Sequence, residues 1–345
     1  MMFTFLSALA LQTVLGTPAA ADPLTFFRPS VVISAEDRRQ LDRGEVIARL
    51  APAGDREVAV FAAVPVRVDG DRLVAWMRRI EVLKKSAYVE AIGRFSDPPS
   101  VQDLEGLTLE DDELQKIQDC RRGRCGLKLA ETEMIQLQRA AAGAGADWKA
   151  AVQQAFRRLV LQRVETYLAK GHAALPPYED REDRVWPATR FSLLIGHSPF
   201  LTERVPRFAE HLSRFPDTQS PDVESFVYWS KERLGSRPFV SVTHVSILRG
   251  GADTRLPDAL IAAKDVFATH YVDASLGLTA ILRGAPGGPN YLCYLNRSEV
   301  DLLGGTFGGL LRYFVQRRLK AEAPAVLQAL RQRLESGMPD VMQPK

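Results

Sequence analysis

Residues 262–282, AAKDVFATHYVDASLGLTAIL, decide how this chain is read. The stretch is rich in β-branched, aromatic and small apolar residues but also carries Lys264, His270, Tyr271 and Asp273, and it reads as one long strand. Alternation puts Lys264, Val266, Ala268 and His270 on one face and Asp265, Phe267, Thr269, Tyr271 and Asp273 on the other; a bulge would exchange the sets beyond it. A strand with a Lys and a His in mid-length belongs to a sheet whose inner face lines something other than a plain apolar core.

Strands flank this stretch on both sides, at 224–231, 238–249 and 291–303, joined through Leu234-Gly235-Ser236, Gly250-Gly251-Ala252-Asp253 and Gly284-Ala285-Pro286-Gly287-Gly288. Short turns between consecutive β-patterned segments argue an antiparallel meander rather than parallel βαβ units. Upstream, residues 34–44 read as a short helix with Ser34 as N-cap and Gly44 just beyond its end. The segments GEVIARLAP and REVAVFAAVPVRV around Pro52-Ala53-Gly54-Asp55 read as a hairpin. Leu73, Val74, Trp76, Met77, Ile80 and Leu83 lie at helical spacing over 71–84. The acidic run from Glu110 to Glu113 suits a helix start. Two helices follow, KLAETEMIQLQRA and a longer one from Trp148 that closes at Gly171, and residues 127–178 are expected as a helical insertion. This insertion either caps a cavity mouth or packs on the outside of the sheet. FSLLIGHSPF, at 191–200, is a strand or short apolar segment before a helix at 203–215. The last element, 308–337, is one long helix or a kinked pair, with Pro324 as the interruption.

The order of a helix with LxxGEV (Leu41 to Val46), a strand with Val-x-Val (Val64 to Val66) and an amphipathic helix resembles the opening of bacterial START-like, or SRPBCC, domains. YWSKE, THVSIL, HYVDASLGL, YLNRSEVDLLGG and GGLLRYFVQRRL extend the likeness to an uncharacterised secreted bacterial family. The resemblance implies an α+β, helix-grip fold: an antiparallel sheet wrapped around a long C-terminal helix, enclosing a ligand cavity, as a single domain from residue 22 onward. It implies no reaction.

The bulk numbers agree with a globular protein: 345 residues, 46% hydrophobic and 25% charged. A formal charge of +3 and a pI near 8.7 are too mild to argue for a nucleic-acid partner. Residues 1–21 give an apolar run from Phe3 to Leu15, then Gly16, Pro18 and the small residues Ala19 to Ala21, which reads as a signal peptide, although no Lys or Arg precedes the run. The expected location is periplasmic or secreted. In such a compartment Cys120 and Cys125, around Arg-Arg-Gly-Arg, are expected to be bridged. The rival metal reading lacks a second Cys or His pair nearby. Cys293 reads as a small buried residue.

The candidate ligand-binding residues are Lys264, His270, His244, Tyr228, Asn296 and Arg297, gathered from neighbouring strands. Taken singly, each has a bland explanation: a satisfied structural His, a Lys extending to the rim, an Arg297–Asp301 ion pair. Their concentration in one presumed sheet is what argues for a site, because buried polar groups need partners. A metal held by His244 and His270 with Asp265 or Asp273 is awkward on strand parity, and no cofactor is implied: Gly304 to Gly309 lacks P-loop and dinucleotide spacing, and GxSxG and HExxH are absent. The expected function is a binding protein for a hydrophobic or amphipathic small molecule, lipid included. The alternatives are an enzyme using His/Lys general acid–base chemistry on the same scaffold, and a non-enzymatic envelope interaction protein. The basic residues of the last helix, Arg312, Arg317, Arg318, Lys320, Arg331 and Arg333, read as a solvated face, with contact to anionic lipid as a second reading.

Overall fold

In a computed structural model of the chain, which describes residues 22–337 except 219, 235, 236, 252, 254 and 305–307, the stretch 262–282 is not one strand but a hairpin. Thr269 completes the ladder to the preceding strand, its N–H donating to Val240 O at 2.9 Å while its Oγ1 accepts from Val240 N at 2.9 Å. The chain then reverses over two residues. Val272 N donates to His270 O at 2.7 Å, a γ-turn closure, and Tyr271 takes φ 65°, a left-handed conformation uncommon outside glycine. His270 Nε2 lies 2.6 Å from Glu113 Oε1, so contact with a distant helix start holds the corner.

The eight strands among the described residues are β1 (Ile47–Leu50), β2 (Glu57–Val66), β3 (Val89–Arg94), β4 (Val223–Leu234), β5 (Arg237–Arg249), β6 (Ala259–Ala268), β7 (Val272–Leu282) and β8 (Asn290–Val300). They form one antiparallel sheet in the order β1-β2-β8-β7-β6-β5-β4-β3. The helices are α1 (Ala35–Asp42), α2 (Gly70–Met77), α3 (Ile80–Leu83), α4 (Asp111–Ile117), α5 (Glu131–Gly143), α6 (Trp148–Lys170), α7 (Pro187–Gly196), α8 (Pro199–Arg204), α9 (Pro206–Arg214) and α10 (Gly308–Glu335). The fold is α+β, an eight-stranded antiparallel sheet with a C-terminal helix and several further helices.

Local chemistry explains most boundaries. Ser34 and Asp37 close a capping box at the start of α1. The helix expected over 71–84 is two, because Arg79 at φ −108° and ψ 51° leaves helical geometry. Gly70 opens α2 against the backbone of Asp258, where a Cβ would come within 2.7 Å of its carbonyl carbon. Residues 191–200 hold the end of α7 and the start of α8 rather than a strand: Pro187 sits in the first turn of α7, and Phe191, Leu194 and Ile195 at 3- and 4-residue spacing face the core. Pro324 lies within α10, which is continuous as a helix.

The sheet separates two layers. Against one face, called outer, pack α1 and α4–α9; Phe27, Phe61 and Phe200 form one cluster there, Phe156, Trp229 and Phe267 another. Each such ring, fully buried, contributes roughly 2–3 kcal/mol. Against the inner face lie α2, α3 and α10, with α10 packed on β1 and β2. Helices α4–α9 all fall between β3 and β4, so the helical segment is wider than the expected 127–178, and its packing is on the face opposite α10. Cys120 and Cys125 are disulfide-bonded and Cys293 is buried and free. The expected signal peptide, 1–21, lies outside the described residues, as do 305–307 in the Gly-rich stretch before α10. Among the described residues no helix is long and apolar enough to cross a membrane.

Candidate ligand site

Antiparallel register lines up side chains on the inner face in rows across the strands. One row runs Tyr228, Thr243 and Asp265 over β4, β5 and β6, and continues, one step past the Lys264–Leu276 pair, with Ser275 on β7 and Ser298 on β8. The adjacent row is Phe226, Val245, Ala263, Gly277 and Asn296. Thus five polar residues stand side by side next to two of the smallest residues of the sheet. Farther along, Ile247, Ile261, Ile281 and Leu292 make the same face apolar toward α2.

Burial separates the two faces of the central strands. On β8, Leu295, Arg297 and Glu299 are sealed, whereas Tyr294, Asn296 and Ser298 are partly accessible to water; on β6, Lys264 and Val266 are sealed and Ala263 and Asp265 are not. The surroundings nevertheless desolvate these groups. Burial pushes the Asp265 carboxyl up to about 7, with the Thr243 hydrogen bond and Lys84 opposing it, and pushes the Tyr294 phenol up to about 12. Asp265 and Tyr294 are thus desolvated while keeping partial exposure, and the strip they occupy on the inner face is called the recess.

Hydrogen bonds tie the recess walls together. Lys84, just after α3, is ion-paired with Glu232 and lies 3.3 Å from the Tyr228 hydroxyl. Although burial works against its charge, Tyr228 and Glu232 hold Lys84 above its ordinary value. Ser230 Oγ donates to Glu232 Oε1 at 2.6 Å, Ser298 Oγ donates to Asn296 Oδ1 at 2.9 Å, and Ser275 and Ser298 share a bond at 3.0 Å. Asp265 Oδ1 accepts from Thr243 Oγ1 at 2.9 Å. No other hydrogen bond or ion pair to its carboxylate occurs among the described residues.

A second polar group lies under the outer helices. Lys264 and His244 are paired across β5 and β6, and Lys264 is 1% and His244 2% exposed. Lys264 Nζ donates to Leu212 O at 3.0 Å and stands 4.2 Å from the Phe191 ring centroid. No carboxylate pairs with it among the described residues, and burial pulls it down to about 7. The Tyr167 hydroxyl lies 2.7 Å from His244 Nδ1, while His244 Nε2 and both ring nitrogens of His172 are buried with no hydrogen-bond partner among the described residues. Burial, with Lys264 next, lowers His244 to about 3 and His172 well below its ordinary value. This cluster is chemically unusual, but it is sealed.

The six expected residues therefore do not form one site. Tyr228 and Asn296 share the inner recess. Lys264 and His244 meet on the outer face. Arg297, also outer, is fixed to Glu57 Oε1 at 2.6 Å and Pro52 O at 2.9 Å, not to Asp301; Glu57 also holds His197 Nδ1 at 2.5 Å. His270 is at the corner with Glu113, five residues past Thr243's partner Asp265 and roughly 15–20 Å along the strand from Lys264. Asp301 instead joins Lys128 and Arg181, each at 3.2 Å, beside the Lys128–Asp273 and Arg56–Asp273 pairs. On α10, Arg312, Arg331 and Arg333 bond the carbonyls of Gly54, Gly44 and Leu83, so half of the basic face fastens the helix to the β1–β2 turn, the loop after α1 and the end of α3. Among the described residues no group of His, Cys, Asp and Glu is arranged to hold a metal. Two open surface hollows, of about 460 and 350 Å³, lie at the disulfide loop and beside Arg56, Arg181 and Asp301, away from the recess.

Asp265, Thr243, Ser275, Ser298 and Lys84 are the residues that sequence reasoning missed. Their signal was the alternation itself: Tyr294, Asn296 and Ser298 against Cys293, Leu295 and Arg297 marks one face of β8 as wet, and register carries that face across to Asp265.

No family model matches the chain, and no curated protein matches it. Among solved structures, TTHA0849 from Thermus thermophilus is similar over 39% of this chain and 86% of that one, with 13% identity and a TM-score of 0.25. The fold description accordingly rests on this chain's own topology.

Proposed function

We propose that the chain is a periplasmic or secreted binding protein that holds a hydrophobic or amphipathic small molecule between the inner face of the sheet and α10, in the manner of a START-like, helix-grip domain. The observation that carries this reading is the inner face itself: a cross-strand polar row from Tyr228 to Ser298 in which Asp265 and Ser298, with Ala263 and Asn296 of the adjacent row, keep partial exposure to water, bordered by the buried apolar residues Ile247, Ile261, Ile281 and Leu292 beneath α2. Few, localised polar groups on an otherwise apolar wall orient a ligand whose affinity comes from buried apolar area. The disulfide suits an oxidising compartment.

The enzymatic reading has the depressed titration of Lys264 and His244 in its favour. Against it, both side chains are sealed under α6, α7 and α9, and His270 is remote from them. Binding without chemistry is the better account.

The test is solvent extraction and mass spectrometry of protein directed to a bacterial periplasm, beside titration with an environment-sensitive apolar fluorophore. Expected are a co-purified amphipathic compound or saturable fluorophore binding, lost in Gly277→Leu. The atoms nearest to a Cβ added at position 277 belong to Ala263 and Asn296, the closest at 3.7 Å, an ordinary contact, so the first added carbon is accommodated and the rest of the Leu side chain crowds the inner face; circular dichroism and urea unfolding check that the variant folds. Neither compound nor binding, or binding unchanged by Gly277→Leu, refutes the reading.

A further inference from the structure

We infer that the polar end of the ligand is a protonated amine that seats on the Asp265 carboxylate; this rests on the inner-face site proposed above. Asp265 accepts one hydrogen bond, from Thr243, and has no ion-pair partner among the described residues. The nearby ammonium, Lys84, is engaged by Glu232 and Tyr228. Among the described residues Lys84 is taken up by Glu232, which leaves the ionised Asp265 carboxylate without a counter-ion of its own. A desolvated carboxylate without one is costly, and a ligand cation supplies it.

The neighbours suit an ammonium group as well. The hydroxyl oxygens of Tyr228, Ser275 and Ser298 and the Asn296 carbonyl oxygen all accept hydrogen bonds, and an alkylammonium has N–H groups to spare after meeting Asp265. A carboxylate or phosphate head placed at Asp265 would meet the like charges of Asp265 and Glu232, with Lys84 already engaged by Glu232.

The charge state of Asp265 gives a signature of its own. The titratable groups facing it are Lys84 at the end of α3, Tyr228 and Glu232 on β4 and Tyr294 on β8. Lys84 is held above its ordinary value, Glu232 is held low by Lys84 although burial opposes this, and Tyr294 sits near 12, so Asp265, near 7, is the member of this group that changes charge between pH 6 and 8. Amine binding requires the ionised form and should strengthen about tenfold from pH 6 to pH 8.

The experiment is titration calorimetry of the full chain with dodecylamine, dodecanol and dodecanoate, each below its micellar concentration, at pH 6 and 8. The wild type, Asp265→Asn and Gly277→Leu are compared. Expected at pH 8 is dodecylamine binding at least tenfold tighter than dodecanol or dodecanoate. In Asp265→Asn, which keeps the shape and the Thr243 bond, the amine should weaken at least tenfold with dodecanol within threefold, and the pH dependence should vanish. If the three ligands bind within threefold of each other, or dodecanoate binds best, and Gly277→Leu abolishes binding, the amine assignment is overturned while the site stands. If none binds, or Gly277→Leu binds as the wild type does, the site falls and the amine assignment with it.

Discussion

Replacing Lys264 by Met should make the protein more stable at neutral pH. The ammonium is 1% exposed, lies over the Phe191 ring and has the Leu212 carbonyl as its hydrogen-bond partner. Desolvation lowers its pKa from 10.5 to about 7. Unfolded, the side chain binds a proton below 10.5; folded, it does so only below about 7. Between those values the unfolded state holds more protons, so native stability rises with pH across the window and the full penalty applies below it. A fall from 10.5 to about 7 corresponds to roughly 5 kcal/mol, of which about 4 kcal/mol is felt at pH 7. Met keeps the length and apolar stem but loses the bond to Leu212 O, at about 1 kcal/mol. The net gain expected is about 2–4 kcal/mol at pH 6–7, shrinking toward pH 10. Urea unfolding at pH 6, 8 and 10 reads it directly, as a shift of about 1–2 M in midpoint at pH 6 for a slope of about 2 kcal/mol/M. A Met variant less stable than the wild type at pH 6, or a gap that does not change with pH, would show that Lys264 is not a desolvated charge.

Three further outcomes follow from neighbouring groups. His244 and His172 are neutral in the fold and charge in the unfolded chain below about 6.5, so wild-type stability should fall from pH 6.5 toward pH 3, and His244→Phe should flatten that fall by up to about 1.4 kcal/mol per pH unit in chemical denaturation. Arg297→Met leaves Glu57 buried with His197 as its one remaining charge partner among the described residues and should cost about 3–5 kcal/mol in the same assay, with no pH-dependent ligand signature. Converting Cys120 and Cys125 together to Ser removes a short-loop crosslink and should cost about 2 kcal/mol, read as a lower urea midpoint equal to that of the reduced wild type.

Much of the fold was legible because its signals are local. Ser34 with its acidic first turn, Gly171 closing α6, and the Gly-rich joints of the meander act within a few residues of where they sit. The corner in 262–282 is different. Its turn residues are Thr269, His270 and Tyr271, none of them a strong turn former, and the reversal is made by Thr269 bonding Val240 and His270 bonding Glu113, partners 29 and 157 residues away. A left-handed Tyr271 leaves no trace in hydrophobic periodicity. The ambiguity at α7, a strand or short apolar segment by sequence, has a simpler reason: its apolar run is short, and short apolar runs do not distinguish helix from buried strand.

The site fared worse because parity within one strand says nothing about which face looks inward. Alternation groups Lys264 with His270, but the register shift opposite Val242 and Thr243 places Phe267 on the same side as Lys264, and the corner then removes His270 altogether. Residue type misled in the same direction. Lys and His attract attention as functional residues, whereas here they are the groups that the outer helices seal, at a cost the protein carries elsewhere. The inner face is marked instead by Thr, Ser and one Asp, ordinary singly and informative only as a row. What distinguishes Asp265 from Lys264, its neighbour in sequence, is accessibility: both are desolvated, but only Asp265 has water within reach. A ligand can replace water at Asp265; at Lys264 it would first have to part the helices from the sheet.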